Sequence, residues 1–330
     1  MDLADLAIGV ANRSRLRCVA SDVSAEEARE FSRLLPAASA RARFIAGHWD
    51  FTAPARAIDD VLFDTYAFPS AVDLASRTRL RRAVVARLAL DYFRVESRLP
   101  DSIMAQYPDF FTRLFTFLAE KATGGYDDDY YAKDVRYALG LTVPGGAVHI
   151  DLKYPIGPKL IWRDMIKMGS LGSAACYAAS AGWGYWYNNH LDLRWMKEFN
   201  PKGWTACFVR IAEMLELNPS IRGLAGVSWF YDPAVAAISP HLAYLQELPR
   251  KHGAFLVQTG TLPHDVENAT VRSFARRKLY EEGRYQPTCY LLAWPRRHLI
   301  EWARRLKAGR AIDSTRPQLP ASPVPQSRCA

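Results

Sequence analysis

Apolar residues recur at helical spacing through the first third of the chain. Over 108–121 the i, i+3, i+4, i+7 pattern predicts an amphipathic helix, whose apolar face contains Phe111, Leu114, Phe115 and Leu118. Nearer the start, Ser24 is followed three residues later by Glu27, a spacing typical of a capping box at a helix N-terminus. These patterns predict a helical region over 1–125.

The pattern changes after residue 125. Alternating apolar residues at 135–143 and 147–153, joined by a Pro-Gly-Gly turn, predict a β-hairpin. The segment 158–217 is again predicted to be mostly helical. Beyond it, buried strands alternate with helices: the predicted strands are 223–231, 254–259 and 288–294, and the predicted helices are 240–251, 266–282 and a last one that ends at Leu306.

The alternation of strands and helices predicts an α/β (mixed α+β) fold. We expect a helical N-terminal region over 1–125, followed over 126–310 by an α/β domain with a helical insertion. Residues 311–330 are rich in Pro, Ser and Arg and lack an apolar pattern, so we expect them to be disordered. The sequence leaves open whether the N-terminal region is an accessory domain or part of one continuous core.

Two neighbouring segments near the C-terminus resemble the GNAT acyltransferase superfamily. They are Arg277-Lys-Leu-Tyr-Glu-Glu-Gly-Arg-Tyr and Pro287-Thr-Cys-Tyr-Leu-Leu-Ala-Trp. The strand–helix–strand order before them is similar as well, and the likeness covers 221–294. The resemblance implies a GNAT-like domain and an N-acyltransferase that uses acyl-CoA as co-substrate and acylates a small amine or amino-acid-like acceptor. It also implies that Tyr280 protonates the leaving thiolate; the alternative for Tyr280 is a core aromatic on an amphipathic helix.

The resemblance implies that the coenzyme pyrophosphate binds at the start of the helix after strand 223–231, where backbone N–H groups and the helix dipole attract an anion. Ligands in open α/β sheets bind at the carboxyl ends of strands, so residues there are candidates for cofactor binding. They are Trp229, Tyr231, Asp232 and, after the next strand, Asn268. The alternative for Asp232 is a turn residue that ends the strand.

The segment 182–204 combines tryptophans with polar residues, a composition typical of a ligand pocket. Its candidate substrate-binding residues are Trp183, Trp186, Asp192 and Arg194. His190 could act as a general base oriented by a carboxylate, and Glu198 could take the same role if it is buried. The alternative is an aromatic core patch with charges that face solvent.

His149 and Asp151 lie two residues apart on a predicted strand and therefore face the same side. Together with His190 they have the composition of a facial triad, so a non-haem metal-dependent enzyme is an alternative hypothesis. A structural histidine or a cross-strand ion pair is the other interpretation. A third hypothesis is a non-catalytic protein whose aromatic segment binds a ligand or partner. If the protein is an acyltransferase, we expect none of these residues to bind a metal.

Composition and charge narrow the classes of partner. Hydrophobic residues make up 49% and charged residues 23% of the chain, ordinary values for a globular protein. The formal net charge of +9 attracts anions, and coenzyme phosphates would account for it. No zinc-finger spacing and no RNA-reading motif occurs, so we expect a small-molecule substrate rather than nucleic acid. The sequence does not predict the oligomeric state.

The five cysteines are widely spaced and form no CxxC motif, which favours free thiols over disulfides or a zinc site. The first twenty residues lack the apolar core of a signal peptide, and no apolar run is long enough to span a membrane. We therefore expect a cytoplasmic location.

Overall fold

A computed structural model describes residues 7–47, 50–64, 73–119, 126–168, 171–180 and 182–315. Its first part is helical: α1 Val10–Ala20, α2 Ala25–Ile45, α3 Ala53–Asp59 with a π-helical turn at Asp60–Asp64, α4 Leu74–Asp91, α5 Asp101–Met104, α6 Tyr107–Ala119 and α7 Asp128–Ala138.

The second part alternates strands and helices. The strands are β1 Thr142–Pro144, β2 His149–Pro155, β3 Tyr185–His190, β4 Gly223–Ser228, β5 Phe255–Gly260 and β6 Cys289–Pro295. The helices are α8 Pro158–Met168, α9 Leu171–Ala179, α10 Pro201–Leu217, α11 Pro233–Ile238, α12 Tyr244–Lys251, α13 Pro263–Thr270, α14 Phe274–Glu281 and α15 Arg296–Thr315. Short 3₁₀ turns occur at Leu193–Glu198, Trp229–Tyr231 and Pro240–Leu242.

The six strands form one mixed sheet in the order β1-β2-β3-β4-β6-β5, which confirms the mixed α+β fold class. β3 and β4 are parallel, whereas the other four neighbouring pairs are antiparallel. β4 pairs with β6 along its whole length, but with β3 at only two positions. The parallel junction is therefore the place where the sheet separates.

Side-chain caps begin several of the helices. The predicted capping box is confirmed: Ser24 N–H donates to Glu27 Oε2 over 2.7 Å, and Glu27 N–H donates to Ser24 Oγ over 3.2 Å. Asn200 caps α10 in a related way, because its side-chain oxygen accepts from Gly203 N–H over 2.9 Å.

The strand predicted at 135–143 is wrong for most of its length. Asp127 accepts a hydrogen bond from Tyr130 N–H over 2.8 Å and begins α7, which continues to Ala138. Only Thr142–Pro144 is extended. The end of α7 is buried all round, including the charged Arg136, so the segment has no polar face to produce a helical period.

β3 lies within 158–217, for which the pattern predicts mostly helix, and that prediction is wrong at Tyr185–His190. A strand buried on both faces shows no alternation of polar and apolar residues. Trp186 and Tyr187 are both fully buried, and they pack into different hydrophobic clusters on opposite sides of the strand. Their aromatic character is the local signal that favours a strand.

Three boundaries also differ from the prediction. β4 ends at Ser228, because the Ser228 hydroxyl accepts from Phe230 N–H over 3.2 Å and begins a 3₁₀ turn. The helix predicted over 266–282 is divided into α13 and α14, and Ser273 caps the second. α15 continues to Thr315, into the segment expected to be disordered, and 316–330 lie outside the described residues.

One hydrophobic core joins the N-terminal helices to the sheet. It includes Phe31 of α2 and Leu80 of α4 as well as residues of β2, β3 and β4. Phe110 of α6 contacts Tyr137 of α7 and His149 of β2, with ring centroids 4.7 and 5.9 Å apart. The described part of 1–125 therefore shares its core with the α/β part. A second, smaller cluster includes residues of α8, α9 and the sheet.

Among the helices of the described residues, none is both long and apolar enough to cross a membrane.

Candidate functional site

The parallel strands β3 and β4 separate near their carboxyl ends. Their register pairs are Tyr187 with Leu224 and Asn188 with Ala225, and beyond them each strand pairs only with its other neighbour. Asn189 lies at the start of the gap, where its amide donates to the Tyr231 hydroxyl over 3.0 Å. In α/β sheets, the carboxyl ends of such diverging strands are where ligands bind.

A histidine–carboxylate pair lies at this gap. His190, the last residue of β3, contacts Asp151 of the neighbouring β2 through Nε2 and Oδ2, which are 2.9 Å apart. Asp151 is buried, whereas the His190 side chain is 29% exposed. The buried carboxylate orients the ring, and the ring remains within reach of a ligand.

The contacts of Asp151 keep it ionised. Burial alone would raise the pKa of this carboxyl group, but the Arg136 guanidinium and His190 hold it well below its usual range. Arg136 Nε donates to Asp151 Oδ1 over 3.0 Å, and the Thr142 hydroxyl donates to the same oxygen. An ionised acceptor beside Nε2 places the imidazole proton on that nitrogen.

Because the proton is on Nε2, Nδ1 is the unprotonated ring nitrogen of His190 and is the one that can act as a base. Asn188 Nδ2 also lies 2.9 Å from Nε2. Because two N–H donors cannot share a hydrogen bond, we assign the carboxamide in the flipped orientation, with its oxygen toward the Nε2 proton. The Phe51 ring packs against the imidazole with centroids 4.4 Å apart. No other hydrogen bond reaches the ring from the described residues, so Nδ1 can accept a proton from a substrate.

A second ionic network lies beside the first and is more deeply buried. Arg194 donates to both oxygens of Asp192, over 2.7 to 3.0 Å, and to Asp134 of α7 over 2.8 Å. Its guanidinium also lies over the rings of Phe117 and Tyr130, at 4.7 and 4.8 Å. Arg194 therefore fixes the segment after β3 against the N-terminal helices.

The carboxylates of this network differ in their affinity for protons. Burial raises the pKa of Asp134 to about 6, against the opposing effect of Arg194. Burial acts on Asp192 in the same direction, but its hydrogen bonds from Arg194 hold its pKa below the ordinary value. Both carboxylates are therefore mainly ionised at pH 7, and Asp134 is the first of the two to take up a proton as the pH falls.

His149 is enclosed beside Asp192, with 3.7 Å between Nε2 and Oδ2. Its ring packs on Tyr137 with centroids 4.5 Å apart. Burial lowers the pKa of His149 to about 3, although the Asp192 carboxylate opposes this effect. The imidazole is therefore neutral at physiological pH and acts as a packed aromatic group.

We expect His149 to make the protein sensitive to acid. Between pH 6.5 and about 3 the unfolded chain binds a proton at this residue and the folded chain does not, so stability falls as the pH falls. The loss approaches roughly 1.4 kcal/mol per pH unit inside this window. His149→Phe keeps an aromatic ring and removes the titration. The free energy of unfolding, measured with urea at pH 7, 5.5 and 4, should depend less steeply on pH in the variant than in the wild type. An equal pH dependence of the two proteins would contradict this account.

The aromatic segment 182–204 does not form one cluster. Trp183 is 66% exposed, whereas Trp186 is fully buried and donates from Nε1 to the Gly182 carbonyl over 3.0 Å. Trp204 packs on Phe199 and Phe208 at the start of α10. Trp183, Trp186 and Trp204 thus lie in three different environments, and His190 pairs with Asp151 instead.

Glu198 and Tyr280, the other two predicted catalytic residues, lie apart from His190. Glu198 is half-buried and pairs with Arg210 over 3.6 Å. Tyr280 is 38% exposed on α14. Within the described part of the chain, neither forms a hydrogen bond or a ring contact with His190.

The predicted cofactor-binding residues are mostly engaged in internal contacts. Trp229 is buried beneath the Arg276 guanidinium, 4.6 Å from its ring. Asp232 caps α11, accepting from Ala234 N–H over 2.9 Å, and also accepts from Thr288 N–H over 3.3 Å. Asn268 is exposed on α13.

A metal site would need His149, Asp151 and His190 to converge on one point. Instead, both oxygens of Asp151 are engaged by Arg136, Thr142 and His190, and His149 faces Asp192. No group of three or more His, Cys, Asp or Glu is arranged to hold a metal ion in the described ranges. The geometry favours a histidine–carboxylate pair over a metal centre.

Sequence reasoning missed several residues of the site: Asp134, Arg136, Thr142, Asn188 and Asn189. Arg136 lies inside the predicted strand 135–143 and Asp134 directly precedes it, and both are buried. Arg136 within the apolar run 135–143 is the one signal that could have indicated a buried charge.

The chain was compared with protein-family models, with curated proteins and with solved structures, and none matches. The chemistry of the site is therefore inferred from its geometry and from the resemblance of the C-terminal segments.

Proposed function

We propose that the protein is an acyl-CoA-dependent N-acyltransferase that acts on a small amine, with His190 as its general base. The observation that carries this proposal is the His190–Asp151 pair at the end of β3, where β3 and β4 stop pairing. Main-chain groups at such a gap are available to an extended ligand that carries amides, as acyl-CoA does. The strand–helix order over β4 to β6, on which the resemblance rests, gives further support.

In this mechanism the amine attacks the thioester carbonyl carbon, forming a C–N bond, and the C–S bond then breaks. His190 Nδ1 takes the proton that the amine loses, while Asp151 stabilises the imidazolium. The departing thiolate needs a proton. Tyr231 is better placed than Tyr280 to supply it, because its hydroxyl contacts Asn189 in the gap. Burial raises the pKa of Tyr231 to about 12, so its proton is present at neutral pH.

We assign the coenzyme diphosphate to the start of α10 rather than to that of α11. The α11 N-terminus is capped by the Asp232 carboxylate, whose negative charge would repel a phosphate. α10 is the next α-helix after β3 in the chain, has the neutral cap Asn200 and carries Lys202 in its first turn. Exposed Lys197 lies shortly before it. Helix N-H groups and lysine charges are the usual partners of phosphate.

Thermal unfolding with acetyl-CoA and with a long-chain acyl-CoA tests the proposal. A ligand at one hundred times its dissociation constant stabilises the folded state by about 2.7 kcal/mol, which we expect to raise the melting temperature by several degrees. Release of free thiol in the presence of a panel of small amines then measures turnover. A melting temperature unchanged by either thioester would count decisively against an acyltransferase.

Charge reversal at Lys202 tests the position of the diphosphate. Lys202→Glu should weaken acyl-CoA binding about tenfold, because one attractive charge becomes repulsive. The matched control is Lys278→Glu, on the exposed face of α14, where Lys278 is 61% exposed. Equal effects of the two variants would place the diphosphate elsewhere.

A further inference from the structure

A basic pocket of about 340 Å³ lies at the opposite end of β3 and β4 from His190. Its positively charged residues are Arg222, just before β4, and Arg296 and Arg297 at the start of α15, with His298 beside them. The facing wall belongs to the end of α9 and includes Cys176 and Ser180. No aspartate or glutamate is among the described residues that line it.

In the part of the chain that the structure describes, the arginines of this pocket lack the acidic partners that basic residues further along α15 have. Further along the same helix, Arg304, Arg305 and Lys307 pair with Glu216, Glu301 and Glu213. Among the residues described, no carboxylate pairs with Arg222 or Arg297. Three arginines in one pocket repel one another unless an anion joins them.

The pocket is held in place by main-chain hydrogen bonds. Arg222 N–H donates to the Tyr185 carbonyl and Arg296 N–H to the Arg222 carbonyl, each over 2.8 Å. The Arg296 guanidinium is anchored to the carbonyls of Leu215 and Asn218. Arg296 therefore supports the pocket, which leaves Arg222, Arg297 and His298 for a ligand.

The side chains of Arg222 and His298 pack directly against the backbone at Gly184 and Gly253, where there is no Cβ to block them. A Cβ on Gly184 would be 2.6 Å from Arg222 Nε, and a Cβ on Gly253 would be 2.8 Å from the His298 ring. Gly253 also has a φ of +92°, which other residues rarely adopt. Arg222 Nε is buried and has no acceptor in the described part of the chain. An unsatisfied buried donor is costly, so a bound acceptor would stabilise this arrangement.

The start of α15 adds to the positive potential. The helix has 20 residues and no acidic residue in its first turn, although acidic residues are the ones that a helix N-terminus favours. The amides of Arg297 and His298 belong to that turn, where N–H groups have no acceptor within the helix. Both the backbone and the side chains thus favour an anion here.

We propose that this pocket binds the phosphate group of a small phosphorylated molecule. Guanidinium groups bind the oxygens of phosphate in pairs, and a dianion balances the arginine charges better than a carboxylate does. The volume is at the lower end of the range for small-molecule sites, which leaves space for an organic group beside the phosphate. This site is separate from the proposed acyl-transfer site, and the outcome of the acyl-CoA experiment does not decide it.

Calorimetric titration of the full chain at constant ionic strength tests the pocket, with AMP and inorganic phosphate as probes. We expect saturable binding that weakens at least about tenfold in Arg297→Gln and in Arg222→Gln. Arg305→Gln, two turns further along α15 and 71% exposed, is the matched control and should bind as the wild type does. Melting temperatures of all variants check that each is folded; Arg297 is exposed, so its replacement leaves the core intact.

Tighter binding of AMP than of phosphate would identify a phosphorylated organic molecule as the ligand. If AMP and inorganic phosphate bind with equal affinity and Arg297→Gln weakens both, the phosphate site stands and its ligand is inorganic phosphate. Binding that Arg297→Gln and Arg305→Gln weaken equally, or no saturable binding up to about 10 mM of either probe, would overturn the proposal.

Discussion

Replacing His190 with alanine is expected to lower kcat for acyl transfer by about 10²- to 10⁴-fold, the usual contribution of a positioned general base. The ring lies 2.9 Å from the buried Asp151 carboxylate, and Nδ1 is the nitrogen that can take the amine proton. KM for acyl-CoA should change little, because the imidazole acts on the acceptor and not on the coenzyme. Initial rates of thiol release, at saturating amine and varied acyl-CoA, measure both constants.

The stability of the variant separates a catalytic role from a structural one. His190→Ala should lose activity while its melting temperature stays close to that of the wild type, because the His190 side chain is 29% exposed and the Arg136 and Thr142 contacts of Asp151 remain. The matched control is His264→Ala, which removes a histidine that is 65% exposed on α13. A His190→Ala protein that keeps more than about a third of the wild-type kcat would exclude His190 as the base.

Replacing Arg194 with methionine is expected to destabilise the fold by about 3 to 5 kcal/mol at pH 7. Arg194 is 12% exposed and is bound by Asp134 and Asp192, both fully buried. Methionine retains much of the apolar contact with Phe117 and Tyr130 but leaves two carboxylates without their cation. Urea unfolding at pH 7 measures the loss, and Arg305→Met, at an exposed pair, should change stability by less than about 1 kcal/mol.

The loss of folding stability caused by Arg194→Met should become smaller as the pH falls. The pKa of Asp134 is already raised by burial to about 6 with the arginine present, and it should rise further without it. A raised folded-state pKa means that the folded protein binds more protons than the unfolded one between pH 3.8 and at least 6, so this group favours folding increasingly as the pH falls. A deficit below about 1 kcal/mol at pH 7, or one that grows in acid, would contradict the role of Arg194 as the link between the two carboxylates.

Local patterns of the sequence determined much of the secondary structure. The capping box at Ser24 and the helical face of α6 follow from contacts between residues three or four positions apart, which any local window contains. The strand–helix order from β4 onward was predicted for the same reason, as was the shared face of His149 and Asp151. The mixed α+β class follows from these elements together.

The candidate site, by contrast, depends on pairings between residues distant in the chain. Arg194 meets Asp134 across 60 positions and His190 meets Asp151 across 39, and no periodicity encodes such partners. His149 and Asp151 share a face, yet each turns to a different partner, because the order of β2 and β3 in the sheet decides which charges meet.

Burial on all sides also hid β3 and the end of α7 from sequence analysis. A strand inside a sheet and a helix packed on it lose the polar face that reveals their period, as Tyr187 and Arg136 illustrate. The sequence by itself therefore determined the helices with one solvent-facing side, the caps and the order of the last strands. Only the tertiary structure decided where the central strand forms, which buried charges pair and where the gap at His190 lies. These features depend on packing between distant parts of the chain, because a charge removed from water needs an oppositely charged partner.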